Sequence, residues 1–320
     1  MSSLSSETTE QFLRRHHNPY DLLLEADSPS LLDLGAGDLS FAEELVAQYL
    51  PPLRERQKTL TLHCVDRLQP GSQFGGPLHA PPERMKRLRS QDGLRFKFWG
   101  GQDMFEAVTL NTALPRYTLV TCHAPANPTF AYEPSRVSAP VIERHLRSAR
   151  GEYRVVREGG EKALEVRHGG RALLFPPWKF EIRGPLSLLD VMRRRADAVV
   201  LSAMDQDVFW EVLSQVVADP EARPRDTILT PALLPGLFKG LYEKLAALPI
   251  GPPVLLADLT RLRDDVPAAL GGAVASYRFR YVEVRRGALF DGLPASQTAR
   301  RFGSMKEEAP PWMLVLVPDA

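Results

Sequence analysis

The stretch Leu31-Leu32-Asp33-Leu34-Gly35-Ala36-Gly37-Asp38 decides the fold. An apolar run this short, stopped by a glycine, is the pattern of a strand buried on both faces of a parallel sheet. Past the glycines, Ala42, Leu45, Val46, Tyr49 and Leu50 recur at helical spacing. Ser40 and Glu43 stand at the capping-box interval, which predicts a helix start between residues 38 and 40. Pro51-Pro52 is predicted to close that helix. Strand, glycine turn and helix together open an α/β unit. Glycines carry no Cβ, so a ligand can approach the backbone, and the helix start offers free N–H groups.

The same alternation runs outward from this unit. Upstream, Asn18-Pro19 signals a helix start and Ser28-Pro29 its end, within an N-terminal helical segment over 1–29. Downstream, Thr59 to Val65 reads as a second strand ending at Asp66, and 67–93 reads as loop, rich in Gly and Pro. Leu94, Phe96 and Phe98 mark a third strand, followed by Gly100-Gly101-Gln102-Asp103 and a short helix over 104–113. Tyr117 to Cys122 is the fourth strand, followed by a Pro-rich loop from His123 to Pro134 and a helix to Arg150. The period then changes. Short apolar stretches between Tyr153 and Phe175 are separated by Gly159-Gly160 and Gly169-Gly170, which predicts an antiparallel meander inserted at about 151–183. Helices are predicted at 185–195 and 208–217, with a strand between them at Ala198 to Ala203. A helical insertion covers about 220–272, with one possible strand at Val254 to Ala257. Tyr277 to Val284 and Trp312 to Val317 are the last strands, paired antiparallel. The predicted fold is therefore α/β: a doubly wound, mostly parallel seven-stranded sheet with helices on both faces, a C-terminal antiparallel hairpin and a small antiparallel β insertion. All of it belongs to one domain over 1–320.

Composition narrows the function classes. The chain has 320 residues, 44% hydrophobic and 25% charged, enough to bury a core without staples. Forty basic residues face thirty-nine acidic ones, so a net charge of +1 provides no global field toward nucleic acid or an anionic membrane. Thirty-two of the basic residues are Arg, a skew that codon bias alone produces. Two cysteines in unrelated contexts, Cys64 and Cys122, make neither a disulfide framework nor a CxxC metal site. Histidine spacing gives no ligand set, and no metal is predicted. No apolar run reaches the length of a membrane span and the start carries no signal-peptide pattern, so a cytoplasmic location is expected.

The segment Asp33-Leu34-Gly35-Ala36-Gly37-Asp38 resembles motif I of class I S-adenosylmethionine-dependent methyltransferases, a Rossmann-like superfamily. The order of elements is similar too: a glycine loop after strand one, an acid after strand two (Asp66), a polar Asp after strand three (Asp103) and a final antiparallel hairpin. The resemblance implies S-adenosylmethionine as cofactor. Gly35, Ala36 and Gly37 would lie against its methionine part, Asp33 would help hold its ammonium group, Asp66 would bind the ribose hydroxyls, and Gln102 with Asp103 would meet the adenine. A dinucleotide would want G-x-G-x-x-G, but Ser40 occupies the third glycine position. Asp38 also faces a pyrophosphate badly, while it tolerates a sulfonium cation.

The acceptor site is expected beyond the fourth strand, the ligand crevice of an open α/β sheet. His123 is the candidate general base there, because its ordinary pKa lies near neutrality. Cys122 is a nucleophile only if its pKa falls, and strand packing suits it better. Asn127-Pro128-Thr129-Phe130 partly matches the N-P-P-[YF] motif of amino-directed methyltransferases, with Thr for the second Pro, and does not establish nitrogen methylation. Phe130, Tyr132, Trp178 and Phe180 would serve as pocket walls or as core. The Arg84, Lys86, Arg87, Arg89 cluster and the Arg193 to Arg195 cluster are read as solvated helix faces. The acceptor is expected to be a small molecule, with nucleic acid and protein left open and no membrane partner. A non-catalytic binding or assembly protein on the same fold is the alternative.

Overall fold

The structure, a computed structural model, describes residues 4–16, 18–66, 69–72, 78–101, 114–123, 153–158, 161–168, 171–175, 195–203, 247–255, 279–286 and 312–318. The chain begins with α1 (Ser6–His16), a 3-10 turn (Pro19–Asp21) and α2 (Leu22–Glu25). The Asn18 side chain caps that turn by accepting from the Tyr20 N–H at 3.1 Å. The central elements follow as β1 (Ser30–Leu34), α3 (Ser40–Glu55), β2 (Leu60–Asp66), α4 (Pro82–Arg89), β3 (Leu94–Gly100) and β4 (Tyr117–His123). After them come β5 (Tyr153–Glu158), β6 (Glu161–His168), β7 (Arg171–Phe175), β8 (Ala196–Ala203), β9 (Val254–Leu255), β10 (Phe279–Arg286) and β11 (Trp312–Pro318).

The main sheet runs β3-β2-β1-β4-β8-β11-β10-β9. The first five strands are mutually parallel. β11 is antiparallel to both β8 and β10, so the last two long strands form the expected hairpin. The sheet has eight strands where the sequence predicts seven; the eighth is the two-residue edge strand β9, within the possible strand at Val254 to Ala257. β5, β6 and β7 make a separate antiparallel sheet of their own, in the predicted meander.

Cross-strand register places Leu31, Leu62, Leu119 and Ala198 in one row on one face of the main sheet. α1, the 3-10 turn, α2, α3 and α4 all pack on that face, through Leu13, Tyr20, Leu22, Leu45, Leu53 and Leu88 among others. Each fully buried leucine contributes about 2 kcal/mol of transfer free energy. The opposite face is equally apolar and buried, with Leu32, Leu34, Val65, Val120, Val199 and Leu314. The predicted helices over 104–113, 135–150, 208–217 and most of 185–195 and 220–272 lie outside the described residues.

Three local expectations are corrected. Pro51-Pro52 does not close α3, which runs on to Glu55. A proline lacks only its own N–H, and the Pro52 carbonyl still accepts from Arg56 while buried Leu50 and Leu53 hold the last turn in the core. Residues 67–93 are not all loop, because α4 forms behind Pro82 at its first position, with Glu83 in the first turn, basic residues in the last and Met85 and Leu88 buried one turn apart. The Ser40/Glu43 capping box does not form. Leu39 is the N-cap, in the left-handed region at φ 64°, and the Asp38 carboxylate accepts from the Ser40 N–H at 2.9 Å instead.

Candidate functional site

The carboxyl ends of the parallel strands meet where the chain changes direction across the sheet. β1 is flanked by β2 on one side and β4 on the other, which makes the end of β1 a topological switch point. The predicted glycine loop sits there. Gly35 and Gly37 have φ of 78° and 54°, a region that glycine enters without strain. The Gly35 and Ala36 N–H groups both donate to the Val65 carbonyl, at 2.9 and 3.1 Å, which ties the loop to the end of β2. Among the described residues, a Cβ built on Gly37 meets nothing nearer than the Gly35 carbonyl oxygen at 4.0 Å, so they leave the space above that residue open.

Three carboxylates surround the loop, and each is used differently. Asp33 is 2% exposed on the helix-covered face of β1, between Cys64 and Thr121 in register, and accepts from the Thr121 hydroxyl at 2.8 Å. Burial pushes its pKa up to about 7; the Thr121 bond opposes this and the charge of Asp66 adds to it. Asp66, also 2% exposed, accepts the Gly37 N–H at 2.7 Å. Its other oxygen lies 3.5 Å from His79 Nδ1. Asp38 is committed to α4. Burial works against its charge, but the Ser40 N–H and the Arg84 guanidinium, 2.7 Å away, outweigh it and hold its pKa below the usual carboxylate value. Arg84 and Arg87 also pair with Glu43 on α3; Arg84 is partly buried in this clamp, while Lys86, Arg87 and Arg89 remain exposed on a solvated helix face.

The chain returns to the loop between residues 69 and 80. Gly71 N–H donates to the His79 carbonyl, His79 N–H to the Ser72 carbonyl, both at 2.8 Å, and Ala80 N–H to the Gly37 carbonyl at 2.9 Å. Ala80 is fully buried with φ 37°, a conformation that side-chain-bearing residues rarely adopt. Sequence reasoning missed His79. Its only local signal is the proline pair that follows at 81 and 82 and returns the chain to α4.

At the end of β4, His123 Nδ1 lies 2.8 Å from the Ser202 hydroxyl of β8, and the ring packs edge-on against Phe41 of α3 at 4.4 Å. His123 Nε2 is buried with no hydrogen-bond partner among the described residues. Burial lowers its pKa to about 4, so the ring is neutral at pH 7. Burial likewise pushes the thiols of Cys64 and Cys122 up, which leaves Cys122 a packed strand residue and not a nucleophile. Gln102, Asp103, the Asn127 to Phe130 stretch, Tyr132, Trp178 and Phe180 lie outside the described residues. The structure thus brings together Asp33, Gly35, Ala36, Gly37 and Asp66, with His123 two strands from Asp66.

The order of the sheet, the switch point and the glycine loop settle the architecture. The fold is Rossmann-like. No protein-family model and no curated protein matches the chain in sequence. Solved structures similar to it include the plantazolicin methyltransferase BpumL in complex with SAH, at 11% identity and a TM-score of 0.32 over 98% of this chain and 82% of that one. A human methyltransferase 10 domain containing protein has 8% identity and a TM-score of 0.33, over 97% of this chain and 83% of that one. The 16S rRNA (adenine(1408)-N(1))-methyltransferase from Catenulisporales acidiphilia has 14% identity and a TM-score of 0.33, over 95% and 94%. Among the described residues no helix is long and apolar enough to cross a membrane, and no cluster of His, Cys, Asp and Glu is placed to hold a metal ion.

Proposed function

We propose that this chain binds S-adenosylmethionine over the glycine loop and transfers its methyl group to an acceptor presented beyond β4. The observation that carries this is the space that the described residues leave open above Gly37 at the switch point, in a loop bordered by two buried carboxylates, Asp33 and Asp66. A cationic ligand suits such a place. Burial disfavours the charge on Asp33, and a bound ammonium or sulfonium nearby relieves that.

The roles follow from position. Gly35, Ala36 and Gly37 leave room for the methionine part. Asp33 lies beneath the loop, where an ionised carboxylate attracts the ammonium group. Asp66 keeps lone pairs beyond the one used by Gly37, enough to accept ribose hydroxyls. Gln102 and Asp103 follow β3 and would meet the adenine. When bound, S-adenosylmethionine supplies an activated methyl group, so the protein's main contribution is alignment.

His123 modifies the acceptor side of the proposal. A ring with a pKa near 4 is a weak base, though its neutral form can accept a hydrogen bond at Nε2. This favours acceptors whose nucleophilic atom is already unprotonated, and small molecules among them. Two buried free thiols fit a reducing, cytoplasmic setting. Titration calorimetry of the whole chain with S-adenosylhomocysteine tests the binding half. Heat that saturates in the wild type and needs about a hundredfold more ligand in Asp66→Ala is expected. Absence of heat in the wild type at millimolar ligand ends the proposal.

A further inference from the structure

We infer that His79 is a positioning residue for the ligand of the glycine loop, acting through Asp66. The inference rests on the reading of this loop as an S-adenosylmethionine site. Asp66 has two jobs there: one oxygen holds the Gly37 N–H at 2.7 Å, and the carboxylate must also present lone pairs to the ligand. The Gly37 N–H restrains the carboxylate through that oxygen, and a donor at the other oxygen adds to the restraint. His79 Nδ1 stands 3.5 Å from the other oxygen, buried and with no hydrogen-bond partner among the described residues. That distance is too long for a hydrogen bond, and an unsatisfied buried nitrogen is costly to leave so. A contraction of about half an ångström, as a ligand seats on the loop, converts it into an Nδ1–H···Oδ1 bond.

The backbone makes His79 suitable for this. Both its N–H and its carbonyl are paired to the 69–72 turn, at 2.8 Å each, and the next residue, Ala80, is bonded to Gly37. The ring is therefore held on the same hydrogen-bonded unit as the loop it serves. The Nδ1 proton is present in one neutral tautomer and in the charged ring, so the donor does not require a particular charge state.

The experiment is calorimetry of full-length variants with S-adenosylhomocysteine. His79→Ala weakens binding about tenfold, the value of one hydrogen bond to a charged group. His79→Asn, whose amide nitrogen falls near the Nδ1 position, restores most of the affinity, a rescue that a purely structural role would not show. His79→Leu fills the space without a donor and behaves as the Ala variant; it also serves if Ala fails to fold. In a double-mutant cycle, His79→Ala adds no loss on an Asp66→Ala background. Wild-type affinity in both the Ala and Leu variants overturns the inference, as does Asn binding no better than Leu, or full additivity with Asp66→Ala. A wild-type chain that binds no S-adenosylhomocysteine overturns the site reading itself, which these variants do not address.

Discussion

The carboxyl ends of β1 and β2 and the carboxyl ends of β4 and β8 lie side by side on one sheet but are built from opposite chemistry. The first end carries Asp33, Asp38 and Asp66 around a glycine loop whose N–H groups are spent on Val65 and Asp66. Among the described residues the second is neutral: His123 bonded to Ser202 and packed against Phe41. An acidic crevice beside a neutral one is what a cationic donor and an uncharged acceptor would each select. The difference also concerns stability. Buried carboxylates destabilise a fold unless something else requires them, which is why perturbed groups collect at functional sites.

The largest expected effect tests that point. Asp33 titrates near pH 7 in the folded protein and near 3.8 unfolded. The native state keeps a proton that the unfolded chain has released, so this residue's contribution falls as pH rises from about 4 to 7. At pH 8 Asp33→Asn removes that penalty, worth about 4 kcal/mol before any loss from the new amide. Chemical denaturation at pH 5 and pH 8 reads it, with the variant's advantage growing toward pH 8. With saturating S-adenosylhomocysteine the order reverses, since only the wild type gains an ion pair. A variant that gains nothing at pH 8 would show that Asp33 is not a strained carboxylate.

Asp66→Ala comes next. It strips the loop of the partner of Gly37 N–H and the ligand of its acceptor, so S-adenosylhomocysteine binding should fall by about a hundredfold, roughly 3 kcal/mol. The same substitution at the neutral end, Ser202→Ala, should leave that affinity within a factor of about three. Equal losses at both ends would erase the contrast between them.

Gly37→Ala is a smaller and cleaner probe. Its Cβ enters open space, so packing survives, and φ 54° costs an alanine about 1 kcal/mol. Binding should nevertheless weaken about tenfold if the proposed ligand occupies that space. Gly35 is a poorer site for this test, since a branched side chain at φ 78° strains the backbone whether or not a ligand is present.

These contrasts were unequally legible in the sequence. The Leu31 to Gly37 unit could be read directly, because a short apolar run ending in glycine has few other uses, and the Gly159-Gly160 and Gly169-Gly170 pairs marked the meander for the same reason. α4 was hidden by its setting. Its proline-rich approach looks like loop, and eight residues hold too few turns for helical periodicity to stand out. α3 ran past Pro51-Pro52 because its last turn is held by tertiary burial, which no local rule sees. His79 was invisible for a further reason: its meeting with Asp66 depends on where the chain returns thirteen residues later. Asp38 shows the converse, a charge correctly noticed whose partner, Arg84, lies 46 residues away.

The smallest expected effect on ligand affinity belongs to His123 and sharpens the neutral side of the comparison. Folding lowers its pKa to about 4 from 6.5, so the unfolded chain binds the extra proton first. Stability contributed by the neutral ring is complete above pH 6.5 and is lost as pH falls toward 4, the reverse of Asp33. His63 behaves alike, its pKa lowered to about 4 by burial and by Lys97, so among the described residues the wild-type profile sets His63 and His123 against Asp33 and Asp197, whose pKa burial raises. His123→Asn keeps a donor near the Ser202 hydroxyl and removes the titrating group. Between pH 6.5 and 4 it should lose about 3 kcal/mol less than the wild type. At pH 7.5 its affinity for S-adenosylhomocysteine should be unchanged. Denaturation at the two pH values and one calorimetric titration measure both. A fall in affinity at pH 7.5 comparable to that of Gly37→Ala would move His123 from the acceptor side to the cofactor side, and the two ends of the crevice would have to be read as one site.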